Sequence, residues 1–132
     1  MNETQRNHLR PPTKKKGPTP EARVSKAVDT YLKKIKAINI RTNAGFWQDD
    51  AGHTIMGAKA GTADKHCCVP GGFFVAIECK AAGGRQSELQ QRYQARVEAM
   101  GGLYILARSA ADVRSGLVGR FGEATVKAWE RP

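Results

Sequence analysis

Cysteine is scarce in this 132-residue chain: three residues, Cys67, Cys68 and Cys79, too few and too oddly spaced for a disulfide framework. Long apolar runs are missing as well. None approaches the roughly 18 residues needed to cross a bilayer. The N-terminal Met1-Asn2-Glu3-Thr4-Gln5-Arg6 lacks the apolar stretch of a secretory signal. Acidic residues are few, 12 Asp+Glu against 22 Lys+Arg, for a net charge of +10. Apolar content is ordinary, which argues against wholesale disorder. The expectation is one soluble, basic domain in the cytoplasm, with nucleic acid as its default partner.

Part of that charge lies in a segment with little to fold around. Arg6, Arg10, Lys14, Lys15 and Lys16 stand against Glu3, among Pro11, Pro12, Pro18 and Pro20 and almost no apolar side chain. Residues 1–19 are therefore expected to be a flexible basic tail and 20–132 the folded domain. The tail either solubilises the chain or contacts phosphates through Lys14, Lys15 and Lys16.

Within the domain, Thr19-Pro20-Glu21 reads as a helix start, with a capping Thr, Pro in the first turn and an acid near the dipole's positive end. Val24, Ala27, Val28, Tyr31, Leu32 and Ile35 then recur at helical spacing, predicting a helix over about 20–37. Residues 38–42 alternate as a strand. Residues 43–61 are glycine-rich, with Phe46 and Trp47, and read as a strand continuation followed by a hairpin or loop. Strands over 63–69 and 73–80 flank the turn Pro70-Gly71-Gly72. Ser87 caps a helix to about 100, Gly101-Gly102 ends it, and 103–107 is a buried strand. Ser109 opens a third helix ending at Gly119; Phe121, Val126 and Trp129 are expected to pack back onto the body. The fold class is α/β, a mixed sheet flanked by helices in the order α-β-β-β-α-β-α.

One hairpin carries an unusual set of charges. On 73–80, Phe73, Val75, Ile77 and Cys79 share one face, while Glu78 and Lys80 point to the other, about 6.6 Å apart. If Val69 faces Phe73 across the turn, Asp64 stands opposite Glu78. Two opposed carboxylates repel, and a cation between them relieves the repulsion. Hard divalent ions accept one or two carboxylates and complete their shell with water and phosphate. The competing reading is a solvated face with an incidental Glu–Lys pair. Glu21 is a third candidate carboxylate, although acids favour a first helical turn anyway. Gln90 is likewise explained by a Ser87-x-x-Gln90 capping box.

Gly61-x-x-Asp64, then Glu78-x-Lys80 ending an apolar strand, then Ser87-x-x-Gln90 opening a helix, resemble the PD-(D/E)XK nuclease superfamily. More closely they resemble the VRR-NUC (virus-type replication-repair nuclease) domain, over about residues 20–107, in the stand-alone length of its phage and bacterial versions. The resemblance implies an α-β-β-β-α-β core and DNA cleavage dependent on Mg2+ or Mn2+. It implies Asp64, Glu78 and the Cys79 backbone carbonyl as metal ligands. Lys80 would position or activate the attacking water, Glu21 would complete the metal or water shell, and Gln90 would support the site. It further implies branched DNA such as four-way (Holliday) junctions as substrate, and a two-fold substrate suits a homodimer. Two positions depart from the family pattern: Ala63 and Lys65 replace the usual Pro and apolar residue around the aspartate.

Remaining features are weaker. His66, Cys67, Cys68 and Cys79 lack zinc-ligand spacing, so buried free thiols are expected. His66 shares the parity of Asp64 and could touch substrate, or be an ordinary partly exposed histidine. Phe46 and Trp47 could stack on bases or serve packing. Arg85, beside the Glu78–Lys80 strand, is a candidate phosphate contact. Two other function classes remain open: a non-catalytic nucleic-acid-binding module with this fold, and a sequence-specific restriction-type nuclease.

Overall fold

The computed structural model describes residues 17–132, with the backbone alone at Phe46 and Trp47. Lys14, Lys15 and Lys16 lie outside the described residues, as do the Phe46 and Trp47 side chains on which base stacking would depend.

Helix α1 spans Pro20–Lys34, and the Thr19 hydroxyl accepts from the Ala22 amide at 3.1 Å. It stops three residues short of the expected end. Lys36 adopts φ +63, and its Nζ donates to the Trp129 and Arg131 carbonyls, so the chain turns there instead of continuing helical. Strand β1 is Ile38–Arg41. The glycine-rich stretch forms its own two-stranded ladder, β2 (Phe46–Gln48) with β3 (Thr54–Met56). Strands β4 (Lys65–Val69) and β5 (Phe73–Cys79) flank the turn at 70–72. Helix α2 (Glu88–Ala99) crosses back to β6 (Leu103–Ala107), which pairs parallel with β5. Helices α3 (Ala110–Phe121) and α4 (Glu123–Glu130) complete the chain.

The third helix corrects the sequence expectation, because it runs through Gly119. A glycine ends a helix by taking a left-handed conformation. Gly122 does so, at φ +91, whereas Gly119 stays helical. The extra turn brings Phe121 against Phe73 and Trp129, with ring centroids 4.9 and 5.2 Å away. Arg114 fixes α4 by pairing with Glu123 and Glu130, and Tyr31 donates to Glu130 at 3.1 Å.

The main sheet has strand order β1-β4-β5-β6, antiparallel up to β5 and parallel at β6. Val69 faces Phe73 and Lys65 faces Ile77, the register expected from the three-residue turn. Odd-numbered residues of β4, β5 and β6, among them Cys67, Val69, Val75, Ile77 and Ile105, face the larger core with Val28, Leu32 and Ile35 of α1, Val113 and Leu117 of α3, and Val126 of α4. Even-numbered Ala76 and Tyr104 join Ala63 and Val97 beneath α2. Helices therefore cover both faces of the β5–β6 half.

Candidate active site

The C-terminal end of β5 meets the segment entering β4. Asp64 lies one residue outside the β4 ladder, which starts at Lys65, not at 63 as expected. It is held there from two sides. Its backbone carbonyl accepts from the Thr42 amide at 3.0 Å, and the Thr42 hydroxyl donates to the Ala63 carbonyl at 2.6 Å. Its Oδ2 accepts from the Cys79 amide at 2.8 Å. Gly61 shapes the approach. At φ +90 it passes so near α2 that a Cβ would lie 2.7 Å from Leu89 Cβ and 2.8 Å from the Leu89 carbonyl carbon. Only glycine fits such a position.

Glu78 is 2% exposed. Its Oε1 accepts from Gln90 Nε2 at 3.0 Å and lies 3.7 Å from Lys80 Nζ. Its Oε2 is buried without a hydrogen-bond partner. Burial, next the charge of Asp64 and then a carboxyl–carboxyl hydrogen bond to Asp64 that protonation of Glu78 would allow, push this carboxyl up to about 8, with Lys80 opposing and Glu21 adding. A buried, orphaned carboxylate oxygen is expensive unless a ligand satisfies it. Gln90 also closes the capping box, so it holds both the helix start and Glu78.

Glu21 is exposed on the first turn of α1. It lines a cavity of about 410 Å3 with Thr19, Ser25, Arg41, Asp64 and Cys79. Among the described residues no group of three or more His, Cys, Asp or Glu side chains is arranged to hold a metal. Glu21 thus shares the cavity of Asp64 without joining its pairing with Glu78. The Cys79 thiol points into the core and burial pushes it up to about 12, which leaves the backbone carbonyl as the Cys79 group suited to a hard ion. Two carboxyl groups, one of them with an orphaned oxygen, fit a divalent ion that takes the rest of its shell from water and phosphate. They do not fit zinc, which favours nitrogen and sulfur.

Other residues fall elsewhere. Arg85 is exposed on the loop before α2. His66 turns away from the cavity, stacking on Tyr93 and bonding its hydroxyl, and burial lowers its pKa. Cys67 and Cys79 are buried free thiols, but Cys68 is exposed, because β4 alternates and only its odd positions face the core.

Sequence reasoning missed three supports. Lys65 is fully buried, its Nζ 2.8 Å from Asp29 Oδ1 and 2.8 Å from Ser25 Oγ, tying α1 to the strand beside Asp64. Its departure from the family's apolar residue was the available signal. Arg108 donates to the Ala81 and Gly84 carbonyls at 2.6 and 2.7 Å, clamping the loop that follows Lys80. Thr42 is the third. Neither Arg108 nor Thr42 carries a local sequence signal, since their partners lie more than twenty residues away.

No protein-family model matches the sequence, and no curated protein matches it. Among solved structures, the chain is similar to one described as a VRR_NUC domain, with a TM-score of 0.58 at 17% identity. The match covers 79% of this chain and 99% of the other. The chain has the fold of a VRR-NUC domain, an α/β core built on a mixed four-stranded sheet.

Proposed function

We propose that this chain is a Mg2+- or Mn2+-dependent DNA endonuclease that hydrolyses phosphodiester bonds, acting on branched DNA such as four-way junctions. The observation that carries the proposal is the orphaned, buried Glu78 Oε2 beside Asp64, with Lys80 next to the same carboxylate. A soluble basic domain has no structural need to bury an unsatisfied acid, and the apolar alternative would be more stable.

Asp64, Glu78 and the Cys79 carbonyl would hold the ion. The ion would polarise the phosphate, lower the pKa of water and stabilise the leaving oxygen. Lys80, held by the Ala107 carbonyl through its amide, would place its ammonium against the attacking water. Gln90 keeps Glu78 aimed, and Glu21 faces the cavity from α1, where it would orient water. The N-terminal lysines and Arg85 would contact phosphates, supplying affinity and salt dependence.

The test is a substrate panel. Single-stranded, duplex, flap and four-way DNA are incubated with the full chain and each metal. Cleavage of the branched substrates in preference to duplex supports the proposal. Salt-sensitive binding with no cleavage of any substrate would make the chain a binding module, and discrete bands from plasmid would make it a restriction-type enzyme.

A further inference from the structure

Strand β1 turns Asn39 and Arg41 toward α1. The Asn39 amide donates to Asp29 at 2.7 Å, while Ile38 and Ile40 point the opposite way, 65% and 60% exposed. The ladder sets Arg41 directly opposite Lys65, two cations on one face of neighbouring strands. Like charges so placed repel. Asp29 offsets the charge of Lys65, with Oδ1 2.8 Å from Nζ. Arg41 has no such partner among the described residues. It is exposed and lines the cavity of about 410 Å3 with Glu21 and Asp64, yet it pairs with neither.

Ser25 lines the same cavity, about one helical turn after Glu21. A hydroxyl inside a helix commonly donates to the carbonyl four residues back, as Thr30 does to Lys26 at 3.1 Å. Ser25 makes no such bond among the described residues. Its Oγ instead accepts from the Lys65 ammonium at 2.8 Å. Lys65 is 1% exposed, so packing fixes this pairing. The hydroxyl hydrogen of Ser25 is left for a ligand in the cavity.

We propose that Arg41 and Ser25 form a phosphate subsite, which holds the DNA backbone phosphate next to the one at Asp64 and Glu78. A guanidinium has donors and no acceptor, and Ser25 already accepts from Lys65, so the pair offers hydrogens to an anion's oxygens and nothing to a cation. Asp64 and the Cys79 carbonyl suit a cation, and one cavity holds both sets. A nucleic-acid strand satisfies both at once, with one phosphate for the ion and its neighbour for Arg41.

The subsite rests on the proposed reading of the cavity as a nuclease site, and its test needs no cleavage. Binding of labelled four-way DNA to the full chain is followed by fluorescence anisotropy in EDTA over a series of KCl concentrations. Arg41→Ala should weaken binding by about 3- to 10-fold, lower the salt slope by about one and leave the melting temperature unchanged. Arg41→Lys should restore most of the slope. Ser25→Ala should weaken binding by about 2- to 5-fold. The double variant should lose less than the product of the two effects, because both side chains hold one phosphate. A single neutral methylphosphonate, moved along the strand, should reproduce the loss in the wild type at one phosphate and have no effect there on Arg41→Ala. That phosphate should adjoin the cut made in Mg2+, and one several nucleotides away would overturn the placement. Arg41→Ala with wild-type affinity and salt slope would overturn the subsite, as would a loss that no single methylphosphonate reproduces or a methylphosphonate effect equal in both proteins. The same binding effects in a wild type that cuts no DNA would overturn the endonuclease reading and leave the subsite standing.

Discussion

Replacing Glu78 with Gln should make the protein more stable near pH 8 while destroying its proposed metal site. The native carboxyl is raised from 4.5 to about 8, chiefly by burial and then by Asp64. An acid whose folded pKa lies above its unfolded value stabilises the fold only while protonated. That contribution is complete below about pH 4.5 and is lost as pH rises through about 8. At roughly 1.4 kcal/mol per pKa unit, with the site able to relax, the loss amounts to about 2–4 kcal/mol over that window. Glu78→Gln keeps an acceptor for Gln90 and removes the charge at every pH. His66 titrates with the opposite sign: burial lowers its pKa, so its contribution is present above pH 6.5 and fades as pH falls. It is common to both proteins and cancels in the difference. The assay is urea unfolding of wild type and variant from pH 5 to 8, in EDTA and then in Mg2+. In EDTA the variant's advantage should grow with pH. In Mg2+ at pH 8 the wild type should recover, by about 2.7 kcal/mol at a hundredfold excess over Kd, and the variant should not. A pH-independent difference would show that Glu78 is not a carboxyl strained by burial, and equal stabilisation of both proteins by Mg2+ would show that it does not bind the ion.

Three further outcomes follow from the packing around the site. Gly61→Ala should destabilise by about 2–4 kcal/mol in thermal melts, because the new Cβ meets the Leu89 backbone at a left-handed φ. Gln90→Ala removes both the capping-box bond and the Glu78 partner, so stability should fall by about 1–3 kcal/mol and cleavage should fall with it. Arg108→Ala should speed amide exchange at Gly84, whose N–H donates to Ala81, and lower the cleavage rate without changing the global melt by more than about 1 kcal/mol.

Much of this architecture was legible because it rests on local chemistry. Thr19-Pro20 opens α1, Pro70-Gly71-Gly72 sets the hairpin register, and Ser87-x-x-Gln90 forms the capping box, each within a few residues. The opposition of Asp64 and Glu78 followed from that register, although Asp64 sits just beyond the ladder. Long-range partners were not legible. Lys65 is buried because Asp29 and Ser25 lie above it, and nothing near residue 65 announces them. Gly119 looked like a helix stop, yet Phe121 gains its aromatic contacts only if the helix continues. The outward side of β1 was equally hidden, since alternation identifies a strand without saying which face meets the core.

Lys80, Glu78 and Asp64 are proposed to form a hydrolytic centre. Single-turnover cleavage of labelled four-way DNA by wild type and Lys80→Ala, with Mg2+ or Mn2+, tests it most directly. Wild type should cut, EDTA should abolish cutting, and Lys80→Ala should be slower by about 100-fold or more while still binding the DNA. Equal rates for the two proteins, or cleavage that persists in EDTA, would contradict it.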